Sequence, residues 1–194
     1  MQVETFSVEG PLLLTPRVFN DDRGFFYESW NRDSFAESLG VKIEGSPNFL
    51  QDNHSRSSRG VLRGLHYQLE PNPQGKLVRC VAGEIFDVAV DLRQSSTTFG
   101  QWVGVHLSGM NHQQLWVPVG FAHGFVSLSE TADVLYKASG YWNKECERSL
   151  LWSDSEIAIK WPLNLIPDNG PLVSSKDSTA PTLAEALSSG DLFA

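Results

Sequence analysis

An all-β sandwich or barrel is the fold class that this sequence predicts, on three observations. Short apolar or β-branched runs with period-two alternation recur between residues 46 and 165, with turn signals about every eight to twelve residues. Only two short stretches carry helix signals. The 194 residues, 20% charged and 41% hydrophobic, fit one globular domain with a single core, without internal repeat or low-complexity tract. One domain over residues 1–194 is therefore expected, and disorder, collagen and coiled coil are excluded by composition.

Taken in order, the first helix is expected over Asp33 to Leu39, capped by Asn31 or Asp33 and stopped by Gly40. Gly60 to Gln68 reads as a strand. Lys76 to Ala82 and Ile85 to Leu92 are two more, with Gly83-Glu84 between them where a hairpin should turn. In the second of these, Phe86, Val88, Val90 and Leu92 share one face while Asp87 and Asp91 share the other. Gln101 to Leu107, Gln114 to Val117, Gly124 to Leu128 and Val134 to Ala138 complete the strands. A terminal helix is expected from about Thr182 to Leu187.

Fifteen Lys and Arg face 23 Asp and Glu, a formal charge of -8, so the footprint for non-specific binding to nucleic acid or anionic membrane is missing. No apolar run approaches the roughly 18–20 residues that span a bilayer. Residues Met1 to Glu9 carry acids instead of a basic segment followed by an apolar one, so a cytoplasmic protein is expected. The two cysteines, Cys80 and Cys146, lack zinc-like spacing and read as free thiols.

Two of the five histidines stand out. His66 lies in the run Gly60 to Gln68, where alternation places Leu62, His66 and Gln68 on one face, and His123 lies in the turn Pro118 to Phe125 that opens the next strand. The pair resembles the two halves of the cupin motif, whose first half supplies two histidines and a carboxylate to a metal. Here Gln68 takes the place of the second histidine, and Pro73-Gln74-Gly75-Lys76 stands where the carboxylate should fall. Two imidazoles beside an ammonium make a poor divalent site. The sequence resembles a cupin-type jelly roll, a double-stranded β-helix with short peripheral helices, that has lost its metal. A histidine and a lysine inside such a barrel suit proton transfer, with the imidazole as base and the fixed cation opposite developing negative charge.

Arg56, Arg59, Arg63, Lys76 and Arg79 form a basic group in an acidic protein. Arg56 and Arg79 fit a solvated strand face equally well. Arg63, three residues before His66 in an apolar, Gly-rich run, suits bidentate phosphate recognition. No P-loop or dinucleotide-binding glycine motif is present. Tyr136 reads as a packing residue or as a catalytic one; Phe25, Phe26 and Trp142 read as core or as stacking surfaces for a base. Gly24 beside two phenylalanines, with Arg23 before and Glu28 after, has the pattern of an edge strand that reaches outward.

Over nearly its whole length the chain resembles the dTDP-4-dehydrorhamnose 3,5-epimerases. The resemblance is carried by residues 21–28 (DDRGFFYE), 51–55 (QDNHS), 60–68, 74–79 (QGKLVR), 86–93 (FDVAVDLR), 98–100, 118–125, Tyr136-Lys137 and 175–177 (SKD), in their order and spacing. It implies an isomerase that needs neither metal nor cofactor and inverts carbons 3 and 5 of a dTDP-4-keto-6-deoxyhexose. It further implies His66 as base with Asp177 behind it, Lys76 opposite the enolate and Tyr136 as acid on the other side of the sugar. Arg63 and Lys176 are then similar to the phosphate ligands, Gln51 and Asn53 to pocket residues, and His123 to a sugar-pocket histidine. Arg23, Phe26 and Glu28 resemble a segment that crosses to a second subunit and covers the nucleotide, so a homodimer is implied. Trp142 stands where the family usually has a second tyrosine that contacts the nucleotide, and Val119 replaces a usual glutamate. Rival readings are an epimerase acting on carbon 3 alone, a non-catalytic sugar-nucleotide-binding cupin module, and a metal-dependent cupin oxygenase, the last opposed by Gln68.

Overall fold

The computed structural model describes residues 1–194. In chain order its strands are β1 (Gln2–Thr5), β2 (Leu12–Thr15), β3 (Phe19–Asp21), β4 (Gly24–Phe26), β5 (Gln51–Ser58), β6 (Leu62–Gln68), β7 (Lys76–Ala82), β8 (Glu84–Asp91), β9 (Trp102–Ser108), β10 (Gln114–Val117), β11 (Phe121–Ser127), β12 (Thr131–Ala138) and β13 (Glu147–Ser149). The α-helices are α1 (Arg32–Ser38), α2 (Ser175–Ser178) and α3 (Leu183–Ser189). Two antiparallel sheets carry the architecture, one in the order β1-β2-β10-β7-β12-β5 and one in the order β13-β6-β11-β8-β9. This is the jelly roll that the sequence predicts, with β3 and β4 as a separate two-stranded ribbon.

Both faces of each sheet are partly covered, which is why so many strands read as apolar. Val78, Leu115, Val117, Ala132 and Val134 from the six-stranded sheet meet Ile85, Ala89, Val103, Leu107, Phe121 and Phe125 from the five-stranded one, filling the space between them. On the outer side of the five-stranded sheet, Leu62, Leu65, Tyr67, Phe86, Val88, Val90 and Leu92 pack under the C-terminal segment through Leu150, Ile157, Ile166, Leu183 and Leu192. The expected apolar row of β8 is thus the outer row, and Asp87 and Asp91 share the inner side. On the outer side of the other sheet, Leu14, Leu77 and Trp116 receive Phe35 of α1. Seven residues are too few for a helix to persist alone in water. Asn31 caps it through Asp33 N–H and Ser34 N–H, and burial of Phe35 contributes about 2 kcal/mol.

Three expectations are corrected, and one strand went unread. The two strands flanking Gly83-Glu84 form no hairpin: β7 pairs with β10 and β12, whereas β8 pairs with β9 and β11 in the opposite sheet. Gly83, at φ 76°, turns the chain from one sheet to the other so closely under Thr131 that a Cβ would lie 2.1 Å from its carbonyl oxygen. Strand β5 escaped alternation because QDNHSRSS contains no apolar residue; its inward positions Gln51, Asn53, Ser55 and Ser57 are polar. Leu62 does not share a side with His66. The pairing of β6 with β11 shifts register between His123 and Phe125, so Arg63 and His66, three residues apart, line one cavity, whereas Leu62 packs into the outer core and only borders that cavity. The helices begin and end a residue or two from the expected bounds, and α2 carried no apolar period to announce it.

Candidate active site

Beside the inner core, between the same two sheets, lies a cavity of about 420 Å³. One wall is built by Arg63 and His66 of β6 and by His123 and Phe125 of β11; the facing wall by Ser55, Lys76 and Tyr136 of β5, β7 and β12. Ser174, Lys176 and Asp177 close one side. A smaller lobe of about 130 Å³ shares His66, Lys76 and Tyr136 and continues along Gln51, Asn53, Trp142 and Glu147. The site is therefore polar at its centre and elongated.

His66 is held by a residue 111 positions away. Its Nε2 lies 2.6 Å from Asp177 Oδ1. The C-terminal segment reaches this place through a parallel bridge between Val61 and Leu172, with Leu62 N–H donating to Leu172 O at 2.9 Å and Leu172 N–H to Gly60 O at 2.8 Å. Ser174 then caps the single turn of α2 by accepting from Asp177 N–H at 3.1 Å, and the carboxylate is only 5% exposed. Burial works to raise the Asp177 carboxyl, but the hydrogen bond and charge of His66 outweigh it and hold the group below the usual carboxylate range. A carboxylate so placed fixes the ring's orientation and stabilises an imidazolium. The ring is 31% exposed towards the cavity, with its other nitrogen not engaged by Asp177.

Directly across the ladder, His123 sits in register with His66. Its Nε2 lies 2.7 Å from Oδ1 of Asp87, a carboxylate with no exposure at all. Lys76 enters from the opposite sheet, 8% exposed, with Nζ donating to the His66 carbonyl oxygen at 3.3 Å. Burial pushes its pKa down to about 8, against the opposing charges of Asp87 and Glu147. Tyr136 is half-buried, and burial raises its phenol, so it is the protonated form that faces the cavity at neutral pH.

The remaining polar residues lie around this centre. Arg63 donates from Nε to Ser57 Oγ at 3.1 Å and keeps an exposed guanidinium at the cavity rim. Lys176 Nζ is 2.7 Å from Glu147 Oε2. Gln51 donates to Asn53 Oδ1 at 3.0 Å and accepts from Trp142 N–H at 3.0 Å, with the indole 55% exposed. Arg23, Phe26 and Glu28 are not brought to the cavity. Arg23 pairs with Asp21, Phe26 stands 72% exposed on the β3–β4 ribbon, and Glu28 follows the ribbon. The basic group of the sequence also disperses, for Arg56 clamps Asp133 and Arg59 donates to Leu165 O, both away from the cavity.

The donor set does not fit a metal. Gln68, at the cupin ligand position, spends its amide on Asn72 O, Tyr141 O and Asn143 N–H, stapling two loops together. No three His, Cys, Asp or Glu side chains converge as ligands, and the Lys76 ammonium stands in the way of a cation.

The sequence model of one protein family, described as dTDP-4-dehydrorhamnose 3,5-epimerase, matches residues 5–185. The chain belongs to this family. A dTDP-4-dehydrorhamnose 3,5-epimerase of Salmonella typhimurium is 56% identical over 176 residues, 91% of this chain and 92% of that protein. The crystal structure of the Legionella pneumophila dTDP-6-deoxy-D-glucose-3,5-epimerase in complex with dTDP-4-keto-L-rhamnose superposes with a TM-score of 0.90 at 45% identity, covering 99% of this chain and 97% of that one. A 3'-monoepimerase of Streptomyces bikiniensis in complex with dTDP-quinovose reaches 0.86 at 34% identity, covering 96% and 90%.

Of the two positions at which the sequence is expected to differ from the family, one borders the site and one does not. Trp142 lines the smaller lobe, and Val119 is exposed in the turn before β11, away from the cavity lining. Two residues of the site went unread in the sequence. Glu147 sat in a charged stretch, KECERS, that looked solvated; yet it lines the smaller lobe. Burial works to raise its carboxyl, and contacts with Lys176 and Trp142 prevail and lower it. Asp87 carried a signal, since an acid inside the apolar run IFDVAV must be buried and therefore needs a partner.

Proposed function

We infer that the protein converts dTDP-4-dehydro-6-deoxy-D-glucose into dTDP-4-dehydro-L-rhamnose by inverting carbons 3 and 5, through enolates of the 4-keto sugar. The observation that carries this reading is the approach of a His–Asp pair and a half-buried phenol to one cavity from opposite sheets. Inversion demands that a proton leave one face of a carbon and return to the other, so acid and base must stand on two sides. The His66 imidazole takes the proton from the carbon beside the ketone, and Asp177 stabilises the imidazolium. The electron pair moves into the carbonyl to give an enolate, whose charge the Lys76 ammonium offsets. Such a preorganised donor lowers a barrier by about 3 kcal/mol. Tyr136 protonates the same carbon from the far side. Solvent exchange then resets both groups, and no net oxidation or reduction occurs.

In this reading Arg63 and Lys176 hold the diphosphate, Lys176 leaving Glu147 to do so. Gln51, Asn53 and Trp142 contact the nucleotide end, with stacking on the indole. His123 hydrogen-bonds the sugar. Arg23, Phe26 and Glu28 reach the site of a second copy, making a homodimer with exchanged N-terminal segments. The exposure of Phe19, Phe25 and Phe26, at 50%, 60% and 72%, supports an apolar partner for the ribbon. The whole of residues 1–194 acts as one domain, and the unpaired Cys80 and Cys146 suit a cytoplasmic setting. No helix is long and apolar enough to cross a membrane.

Incubation with the 4-keto-6-deoxyglucose nucleotide in deuterium oxide, followed by NMR of both carbons, tests the assignment. The native protein should label carbons 3 and 5. His66→Ala should abolish exchange at both, a loss of about 10²–10⁴-fold or more, whereas Tyr136→Phe should exchange without inverting. Retained exchange in the His66 variant would defeat the assignment, and label at carbon 3 alone would make the enzyme a monoepimerase.

A further inference from the structure

Four buried side-chain oxygens lack a hydrogen-bond partner, on Ser46, Ser55, Asp87 and Ser149. Of these residues only Ser55 lines the cavity. A buried hydroxyl that bonds to nothing is costly, and the proton-transfer scheme gives this one no task.

Its place on β5 is informative. The inward row of that strand runs Gln51, Asn53, Ser55, Ser57, so successive members lie about 7 Å apart. The other three are engaged. Gln51 donates to Asn53 Oδ1 at 3.0 Å, and Ser57 Oγ accepts from Arg63 Nε at 3.1 Å. Asn53 stands opposite Tyr136 in the ladder, whereas Ser55 stands opposite Val134, which is apolar and buried. Ser55 therefore lies midway between the phenol and the serine that holds the guanidinium, and Ser55, Arg63 and Tyr136 all line one cavity. The remaining serine there, Ser174, is held as the cap of α2 by Asp177 N–H at 3.1 Å.

We propose that Ser55 is a specificity-determining residue whose hydroxyl hydrogen-bonds the 2-hydroxyl of the substrate's sugar. This rests on the reading of the site as an epimerase of a nucleotide-linked 4-keto-6-deoxy sugar. In such a substrate carbon 1 carries the diphosphate, carbon 3 is inverted and carbon 2 lies between them, matching the order Arg63, Ser55, Tyr136 along the wall. Carbon 2 also bears the one ring hydroxyl that the reaction leaves in place, so a fixed partner can hold substrate, enolate and product alike. Rotation about the Ser55 Cα–Cβ bond, among its three staggered positions, turns Oγ from the buried side towards the sugar, and a hydroxyl both donates and accepts. An interaction equal in ground and transition states raises affinity and leaves kcat alone.

The test compares the binding of two unreactive nucleotides, dTDP-6-deoxyglucose and its 2-deoxy analogue, by calorimetry. The native protein should bind the first about two- to tenfold more tightly, the range of one neutral hydrogen bond. Ser55→Ala should lose that preference, with the first bound more weakly and the second unchanged. Ser57→Ala, which loosens Arg63, should weaken both alike. A preference that survives in Ser55→Ala, an equal loss on the two nucleotides, or a native protein indifferent to the 2-hydroxyl would overturn the proposal. With the 4-keto substrate, KM of Ser55→Ala should rise by the same factor at unchanged kcat; a fall in kcat with KM unchanged would overturn it as well. Because binding is read without turnover, a protein that discriminates the 2-hydroxyl through Ser55 yet epimerises nothing would refute the activity proposed above and not this contact.

Discussion

Two histidine–carboxylate pairs stand side by side in this protein, His66–Asp177 and His123–Asp87, with nearly the same separation, 2.6 and 2.7 Å, and with the histidines in register on adjacent strands. Their surroundings differ. The His66 side chain is 31% exposed to the cavity, and its carboxylate comes from a one-turn helix tethered by the C-terminal segment. The His123 side chain is 7% exposed, and its carboxylate belongs to β8, which is paired on both sides by β11 and β9. Similar chemistry at hydrogen-bond distance thus yields a ring open to a substrate in one case and a fixed support in the other. Access to the cavity and the kind of element behind the ring separate them, and distance does not.

Asp177→Asn should give the largest effect on this contrast, a loss of about 10²–10⁴-fold in substrate-proton exchange, because the ring loses both its orientation and the charge that stabilises imidazolium. The same substitution should flatten the acid side of the stability curve. The Asp177 carboxyl is held below its ordinary value, so its contribution is full above the unfolded range, near pH 4, and is lost as pH falls through the lowered folded value. Undiminished exchange in this variant would erase the distinction between the pairs. His123→Asn, which retains a donor for Asp87, should cost about tenfold, mainly in KM, as the removal of one hydrogen bond to the sugar. A collapse of kcat as deep as that of Asp177→Asn would make His123 a second proton-transfer group. Trp142→Tyr, at the rim and distant from either carboxylate, should change KM by about two- to threefold and leave kcat alone; a change in kcat would mean that the nucleotide end controls the chemistry.

Much of the fold was legible because burial imprints the sequence. The alternation in Lys76 to Ala82 located β7 to the residue, and the row Phe86, Val88, Val90, Leu92 gave the correct side of β8. β5 was silent, since its inward row contacts a polar cavity and not a core, so selection for the site removed the pattern by which strands are recognised. The turn at Gly83-Glu84 misled because short links favour hairpins locally, whereas a double sheet with both faces covered assigns neighbours by burial over the whole molecule. The shifted pairing between β6 and β11 was equally invisible: it depends on Gly64 and Gly124 coming so close that a Cβ on Gly64 would lie 2.6 Å from Gly124 Cα.

The residue types pointed towards proton transfer: an imidazole and an ammonium in an acidic β protein, with Gln68 where the cupin motif has a histidine and Lys76 near where it has a carboxylate. Folding alone decided which of them meet. Asp177 looked like an ordinary charged turn, and became the partner of His66 when the tail was bridged to Gly60–Leu62 over more than a hundred residues. Asp87 and Lys76, eleven residues apart in the chain, were sent to facing sheets by one glycine turn. Side-chain chemistry is local and survives in any conformation, but proximity across a sandwich is set by how all the strands together bury their apolar faces, and no single segment encodes that.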